Sequence, residues 1–192
     1  MLRLKQGSYV HKAHLLNMEY TVTEEGITAN IDSDLILDIC LRFLHINKDK
    51  SLYFYLETSD EQKREIDVSS DSTARNASVS YRIDFDSFEK ASGVLFYFSD
   101  LIARDGICRF KFGTQDGDEI ESGKYNIVKI TSDDIEKYEK IFTLNEIPKV
   151  EKLTTAYDTF SKEHPGVSKR MTYKGMTVLD IPDALKAYGL IE

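Results

Sequence analysis

Between Val79 and Ile102 the apolar positions change their spacing once, and the change marks two adjacent elements. Val79, Tyr81, Ile83 and Phe85 alternate with Ser80, Arg82 and Asp84, the two-residue period of a half-buried strand. Directly afterwards Phe88, Ala91, Leu95, Phe98 and Ile102 recur every three or four residues, with Val94 and Leu101 widening the stripe, so this segment is predicted as an amphipathic helix. Ser87 or Asp86 can cap its start. Asp105-Gly106 is expected to end it, with the glycine in the left-handed region.

The same reading extends in both directions. Leu15 to Thr23 and Ile27 to Ile31 read as strands around Glu24-Glu25-Gly26, where glycine can supply the positive φ of a tight hairpin. Leu35 to Ile46 satisfies a buried helix, with Asp32-Ser33 as its cap, as well as a buried strand whose end, Leu41 to Ile46, would form a hairpin with Leu52 to Leu56. Both readings stay open. Ser59 to Asn76 is polar and reads as a mobile surface loop.

Ile107 to Phe112 and Lys124 to Ile130 are strand-like and flank Asp116-Gly117-Asp118-Glu119-Ile120-Glu121, which reads as an exposed, carboxylate-rich connection. Thr131 to Asp134 resembles a capping box before Ile135, Tyr138, Ile141 and Phe142, a second helical stripe. A further amphipathic stretch, Leu153, Ala156, Tyr157 and Phe160, stops at His164-Pro165-Gly166. A short hairpin at Lys174-Gly175 and a helix from Pro182 to Tyr188 complete the pattern.

Strands dominate before Pro148 and helices after it. The expected architecture is an α+β fold, mainly an antiparallel sheet with one central amphipathic helix and C-terminal helices. Residues 1–147 form the mixed domain, and residues 148–192 form a helical extension packed on it. No internal repeat and no low-complexity tract is present. At 192 residues the chain is long enough for a full hydrophobic core.

Composition narrows the chemistry. A formal charge of −8 argues against a nucleic-acid partner, whose phosphates need clustered Lys and Arg. No run approaches the roughly 18 apolar residues of a membrane span, and Met1 to Gln6 lacks the layout of a secretory signal. A cytoplasmic location is expected. Cys40 and Cys108 stand far apart in apolar segments with no metal-ligand spacing, and are expected as buried free thiols.

The acids of residues 116–121 do not follow the EF-hand spacing, because counting from Asp116 puts Ile120 and Glu121 where that loop needs an acid and a glycine. No metal or other cofactor is expected. His11 and His14 lie three residues apart without the glutamate of a His-Glu-x-x-His site, and neither a Gly-x-Ser-x-Gly elbow nor a phosphate-binding glycine loop occurs. Lys162, Lys169, Arg170 and Lys174 gather near the C-terminus around Tyr173, and read as a solvated basic face.

The function expected from these features is that of a non-catalytic acidic protein. It would occlude a basic macromolecular partner, in the manner of an immunity or inhibitor protein for a toxin or nuclease, through Asp116, Asp118, Glu119 and Glu121. An enzyme with a site assembled from His11, His14 and sequence-distant carboxylates, and an assembly subunit carrying an exposed aromatic patch, are the alternatives.

Overall fold

The computed structural model describes residues 1–66 and 78–191. An α+β fold is observed, built on a seven-stranded antiparallel sheet and a separate three-stranded one. Leu52, Phe54 and Leu56 of β4 (Leu52–Ser59) stand opposite Phe85, Ile83 and Tyr81 of β6 (Ser78–Phe85) on one side and Thr114, Phe112 and Phe110 of β7 (Arg109–Thr114) on the other. The alternation in the sequence therefore becomes one continuous apolar face. β8 (Glu119–Ser122), β9 (Ile127–Thr131), β3 (Gly26–Asn30) and β2 (Glu19–Thr23) extend the sheet, giving the order β2-β3-β9-β8-β7-β4-β6.

Three helices cover that apolar face: α1 (Ile36–Ile46), α2 (Phe88–Arg104) and α3 (Ile135–Leu144). α2 and α3 are the two helical stripes read from the sequence, and α1 packs against both. The open choice at 35–46 resolves as a helix for a physical reason. A strand would put Asp38 and Arg42 on the same face as Ile36, Cys40 and Leu44; the helix buries Ile36, Ile39, Cys40, Phe43 and Leu44 together and leaves Asp38 and Arg42 outside as an ion pair at 2.7 Å. Asp32 does not cap it. Its carboxylate accepts from the Arg3 backbone and guanidinium instead.

α2 begins as expected, with the Ser87 hydroxyl accepting from the Lys90 N–H. Its end differs, because Gly106 is not left-handed. A Cβ there would lie 2.1 Å from the Gly7 carbonyl oxygen, and Gly106 N–H donates to Lys169 at 3.0 Å. The glycine is required by close backbone approach, not by φ. α3 starts later than Thr131: β9 runs through that residue, and Asp134 is the cap, accepting from Lys137 N–H.

The segment 148–192 contains more than helices. Leu153 to Phe160 forms only a short 3₁₀ turn, Ala156–Thr159. Gly166–Lys169 is a strand, β10, lying between β1 (Ser8–Tyr9) and β5 (Lys63–Ile66) in the small sheet. β5 also occupies part of the polar stretch 59–76 read as a loop; residues 67–76 of that stretch lie outside the described residues. The Lys174-Gly175 turn, both residues at positive φ, closes a Tyr173–Met176 bridge, and α4 (Ile181–Ala187) buries Ile181 and Leu185 in the main core. Among the described residues no helix is long and apolar enough to cross a membrane.

Candidate partner-binding surface

The antiparallel register brings distant loops to one end of the large sheet. Thr23 pairs with Gly26, Glu119 with Thr131, and Leu52 with both Thr114 and Phe85. The β2–β3 turn, the β9–α3 connection, the β7–β8 turn, the α1–β4 loop and the β6–α2 junction therefore share that end. Exposed carboxylates occur on each: Glu24 and Glu25, then Asp133, Asp134 and Glu136, then Asp116, then Asp49, then Asp86 and Glu89. The lysines there are Lys48, Lys50, Lys90 and Lys137. Lys90 holds Asp86 at 2.9 Å and Lys50 holds Asp116 at 3.2 Å. Among the described residues Glu24, Glu25, Asp49, Glu89, Asp133 and Glu136 have no ion-pair partner.

The four acids singled out in the sequence face three ways. Asp116 stands at the tip of the β7–β8 turn, with Gly117 at positive φ beside it. Asp118 is buried and turns toward the helices, accepting from Ser132 Oγ at 2.5 Å, Lys50 Nζ at 3.1 Å and Lys137 Nζ at 3.3 Å. Burial alone pushes its carboxyl up; hydrogen bonds from Ser132, the neighbouring Tyr138 and the two lysines outweigh that and hold it well below the usual carboxylate range. The Tyr138 hydroxyl is itself tied to Asn47.

Glu119 and Glu121 lie on the other face of the sheet, away from the helices. Glu119 accepts from Tyr53 OH and Lys111, and Glu121 from Arg109 at 2.5 Å, with Lys111 at 3.4 Å. Burial raises the Glu121 carboxyl, but the Arg109 and Lys111 charges bring it below its ordinary value. This open face carries a cross-strand row, Arg82, Tyr55, Lys111, Glu121 and Lys129, in which opposite charges stand side by side. Asp84 beside Arg82, Glu57 opposite Arg109 and Glu119 against Lys111 offset the remaining cations on this face. The uncompensated charge sits at the sheet end, on residues that the sequence presents merely as turn and cap residues; their shared signal is that each follows or precedes a strand on the same side.

The histidines are dispersed. His11 stacks on His164 with ring centroids 3.8 Å apart, His14 is exposed in the 3₁₀ turn Ala13–Leu15, and His45 meets the Phe88 ring edge-on. Among the described residues no group of three His, Cys, Asp or Glu side chains is arranged to hold a metal ion. The C-terminal basic group also divides: Lys162, Lys169 and Lys174 are exposed, whereas Arg170 is buried. No protein-family model, no curated protein and no solved structure matches the chain.

Proposed function

We propose that the chain is a non-catalytic binding protein that sets the acidic end of its seven-stranded sheet against a basic macromolecular partner. An immunity or inhibitor protein that occludes a toxin or nuclease is the instance this reading favours. The observation that supports it is the convergence of uncompensated carboxylates from four separate connections on one end of the sheet, where they add to a field that steers a cationic surface. The reading places the protein in the cytoplasm, where Cys40 and Cys108 stay as thiols.

Capture from a lysate of the source cell, at low and at high salt, tests it. A basic protein retained by the wild type, released by salt, and lost when Glu24, Glu25, Asp116, Asp133 and Glu136 are changed together to amides supports the reading. Equal retention by that variant removes the acidic end from the account.

A second reading, an assembly subunit, is favoured by a different observation. Phe96, Tyr97 and Tyr188 are 80%, 51% and 54% exposed, and Tyr97 stacks on Tyr188 at 4.6 Å, an aromatic patch where α4 leads into the C-terminus against α2. Sedimentation of the wild type beside Phe96→Ser distinguishes it: a shared monomeric mass counts against assembly through this patch.

A further inference from the structure

α2 carries a solvent-facing stripe opposite the one it buries. Ala91, Val94, Leu95, Phe98, Leu101 and Ile102 point into the core, and Glu89, Phe96, Tyr97 and Arg104 are exposed. At about 100° of turn per residue, those four fall within about 50° of one direction, the bisector between the Phe96 and Tyr97 side chains. The stripe is symmetric about that bisector: Glu89 precedes Phe96 by seven residues, and Arg104 follows Tyr97 by seven. Each charge therefore stands about 11 Å along the helix from the midpoint, the acid to one side and the arginine to the other.

The middle of the stripe is apolar, and the C-terminal segment widens it. The Phe96 ring meets Tyr97 edge-on at 5.2 Å, Tyr97 stacks on Tyr188 at 4.6 Å, and the Leu190 side chain fills the space beside Gly93, where a Cβ would meet it at 3.3 Å. Phe96 is 80% exposed and adds nothing to the core. Helix propensity does not call for it either, since an exposed helical position favours Ala, Glu or Lys over Phe. Contiguous aromatic surface of this kind marks a contact.

The two ends of the stripe differ in their pairing. Lys90 holds Asp86, and Glu89 beside them has no ion-pair partner among the described residues. Arg104 holds Asp100 at 2.8 Å, with side chains 47% and 40% exposed, and lies 5.2 Å from the centre of the Tyr173 ring. A pair this exposed contributes little by itself, and the guanidinium fork keeps N–H donors for a second carboxylate.

We propose that α2 pairs with α2 of a second copy, antiparallel across a two-fold axis at the Phe96–Tyr97 bisector. This deepens the assembly reading above and rests on it. Phe96 of each copy lies against the Tyr97–Tyr188 stack of the other, and Glu89 of each reaches the Asp100–Arg104 pair of the other. The symmetry of the stripe selects the occupant. A two-fold contact sets a patch against itself, and the antiparallel sense puts acid on arginine at both ends, whereas a parallel one would set Glu89 on Glu89 and Arg104 on Arg104. Pairing would neutralise Glu89 but leave Glu24, Glu25, Asp116, Asp133 and Glu136 unchanged, so self-association and capture of a basic partner are read separately.

Sedimentation velocity of the full chain beside Phe96→Ser, Glu89→Arg and Arg104→Glu tests the pairing. The wild type is expected to pass from monomer to dimer between about 1 and 100 μM, and Phe96→Ser to stay monomeric. Glu89→Arg and Arg104→Glu should each weaken dimerisation about tenfold, and their equimolar mixture should restore it, because the mixed dimer sets arginine on glutamate at both ends. A monomeric wild type, or a dimer that Phe96→Ser leaves intact, overturns the pairing and the assembly reading together. A dimer that Phe96→Ser abolishes but neither charge reversal weakens, or that the mixture does not restore, overturns the antiparallel pairing alone. If Arg104→Glu fails to fold, carbodiimide coupling of Arg104→Lys replaces it. Position 104 and Glu89 lie about 22 Å apart along one helix, so a direct cross-link between them is expected only across two copies, and a dimer without it overturns the pairing.

Discussion

The Asp105 carboxylate and the Arg170 guanidinium meet 3.2 Å apart with their side chains 0% and 1% exposed, tying the end of α2 to the end of β10. Asp105 also accepts from the N–H groups of Ile107, Cys108 and Met171, and Arg170 donates to Thr58 Oγ1 at 2.7 Å and to the Ser59 carbonyl. Three segments, including the end of β4, are thereby joined by one pair of side chains.

Removing either partner leaves the other charge buried and unpaired, so Asp105→Asn and Arg170→Met are each expected to cost about 3–5 kcal/mol in urea unfolding at pH 7. The double variant should lose less than the two single costs added together. Strict additivity would show that the two groups do not act as a pair.

Asp118 gives stability a pH dependence of known sign. Its folded-state carboxyl lies below the unfolded value of 3.8, so its contribution is complete above that value and is lost as the pH falls toward the folded one. Asp118→Asn should therefore lower stability by about 2 kcal/mol at pH 7, and the gap from wild type should close as the medium is taken below pH 4. A gap that stays constant down to acid unfolding would count against this assignment.

Lys5 predicts a gain. Its side chain is 1% exposed, and its amine donates to one carbonyl, Gly123 O, and sits 5.8 Å from the centre of the Phe110 ring. Desolvation lowers its amine below the ordinary lysine value, so the cost of charging it is full at neutral pH and recedes as the pH rises. Lys5→Met keeps the length and removes the charge. It is expected to raise stability by about 1–3 kcal/mol at pH 7, with a smaller advantage at pH 10, as read by thermal unfolding.

Cys40 and Cys108 are fully buried, and burial pushes each thiol up to about 12. Neither should react with a thiol-specific disulfide reagent at pH 8 in the native protein, and both should react once urea unfolds it. Stoichiometric native labelling would mean that the core opens locally around one of them.

Elements whose faces are separated by period were legible in the sequence. Val79 to Phe85, the α2 stripe and the Glu24-Glu25-Gly26 turn all emerge as read, because side-chain spacing alone decides them. Residues 35–46 required the positions of Asp38 and Arg42 to be weighed against the apolar ones before helix and strand could be told apart. β10 was not legible: Gly166–Lys169 has one apolar residue, Val167, and is a strand because β1 and β5 offer it backbone partners on both sides. Gly106 carried the right residue for the wrong reason, since a sequence does not record that the Gly7 and Lys169 backbones pass beside it. The same holds for the candidate surface. Asp116, Asp118, Glu119 and Glu121 are neighbours in sequence and were read as one cluster, yet strand alternation sends Asp118 to one face and Glu119 and Glu121 to the other. Glu24, Asp49 and Asp133, far apart in sequence, share one end of the sheet.

β10 leaves the ribosome after both of its partners, β1 and β5, and it occupies the middle of its sheet. Until it arrives, β1 and β5 have nothing to bridge them, the Asp105 carboxylate lacks its arginine, and the Gly7–Gly106 contact lacks the Lys169 backbone that fixes it. Among the described residues the large sheet takes all its strands from positions up to Thr131, so it can assemble while synthesis continues. A nascent or prematurely terminated chain would therefore display a formed seven-stranded body with two unsatisfied strand edges and an unpaired buried acid, the kind of half-finished surface on which chaperones and quality-control proteases act.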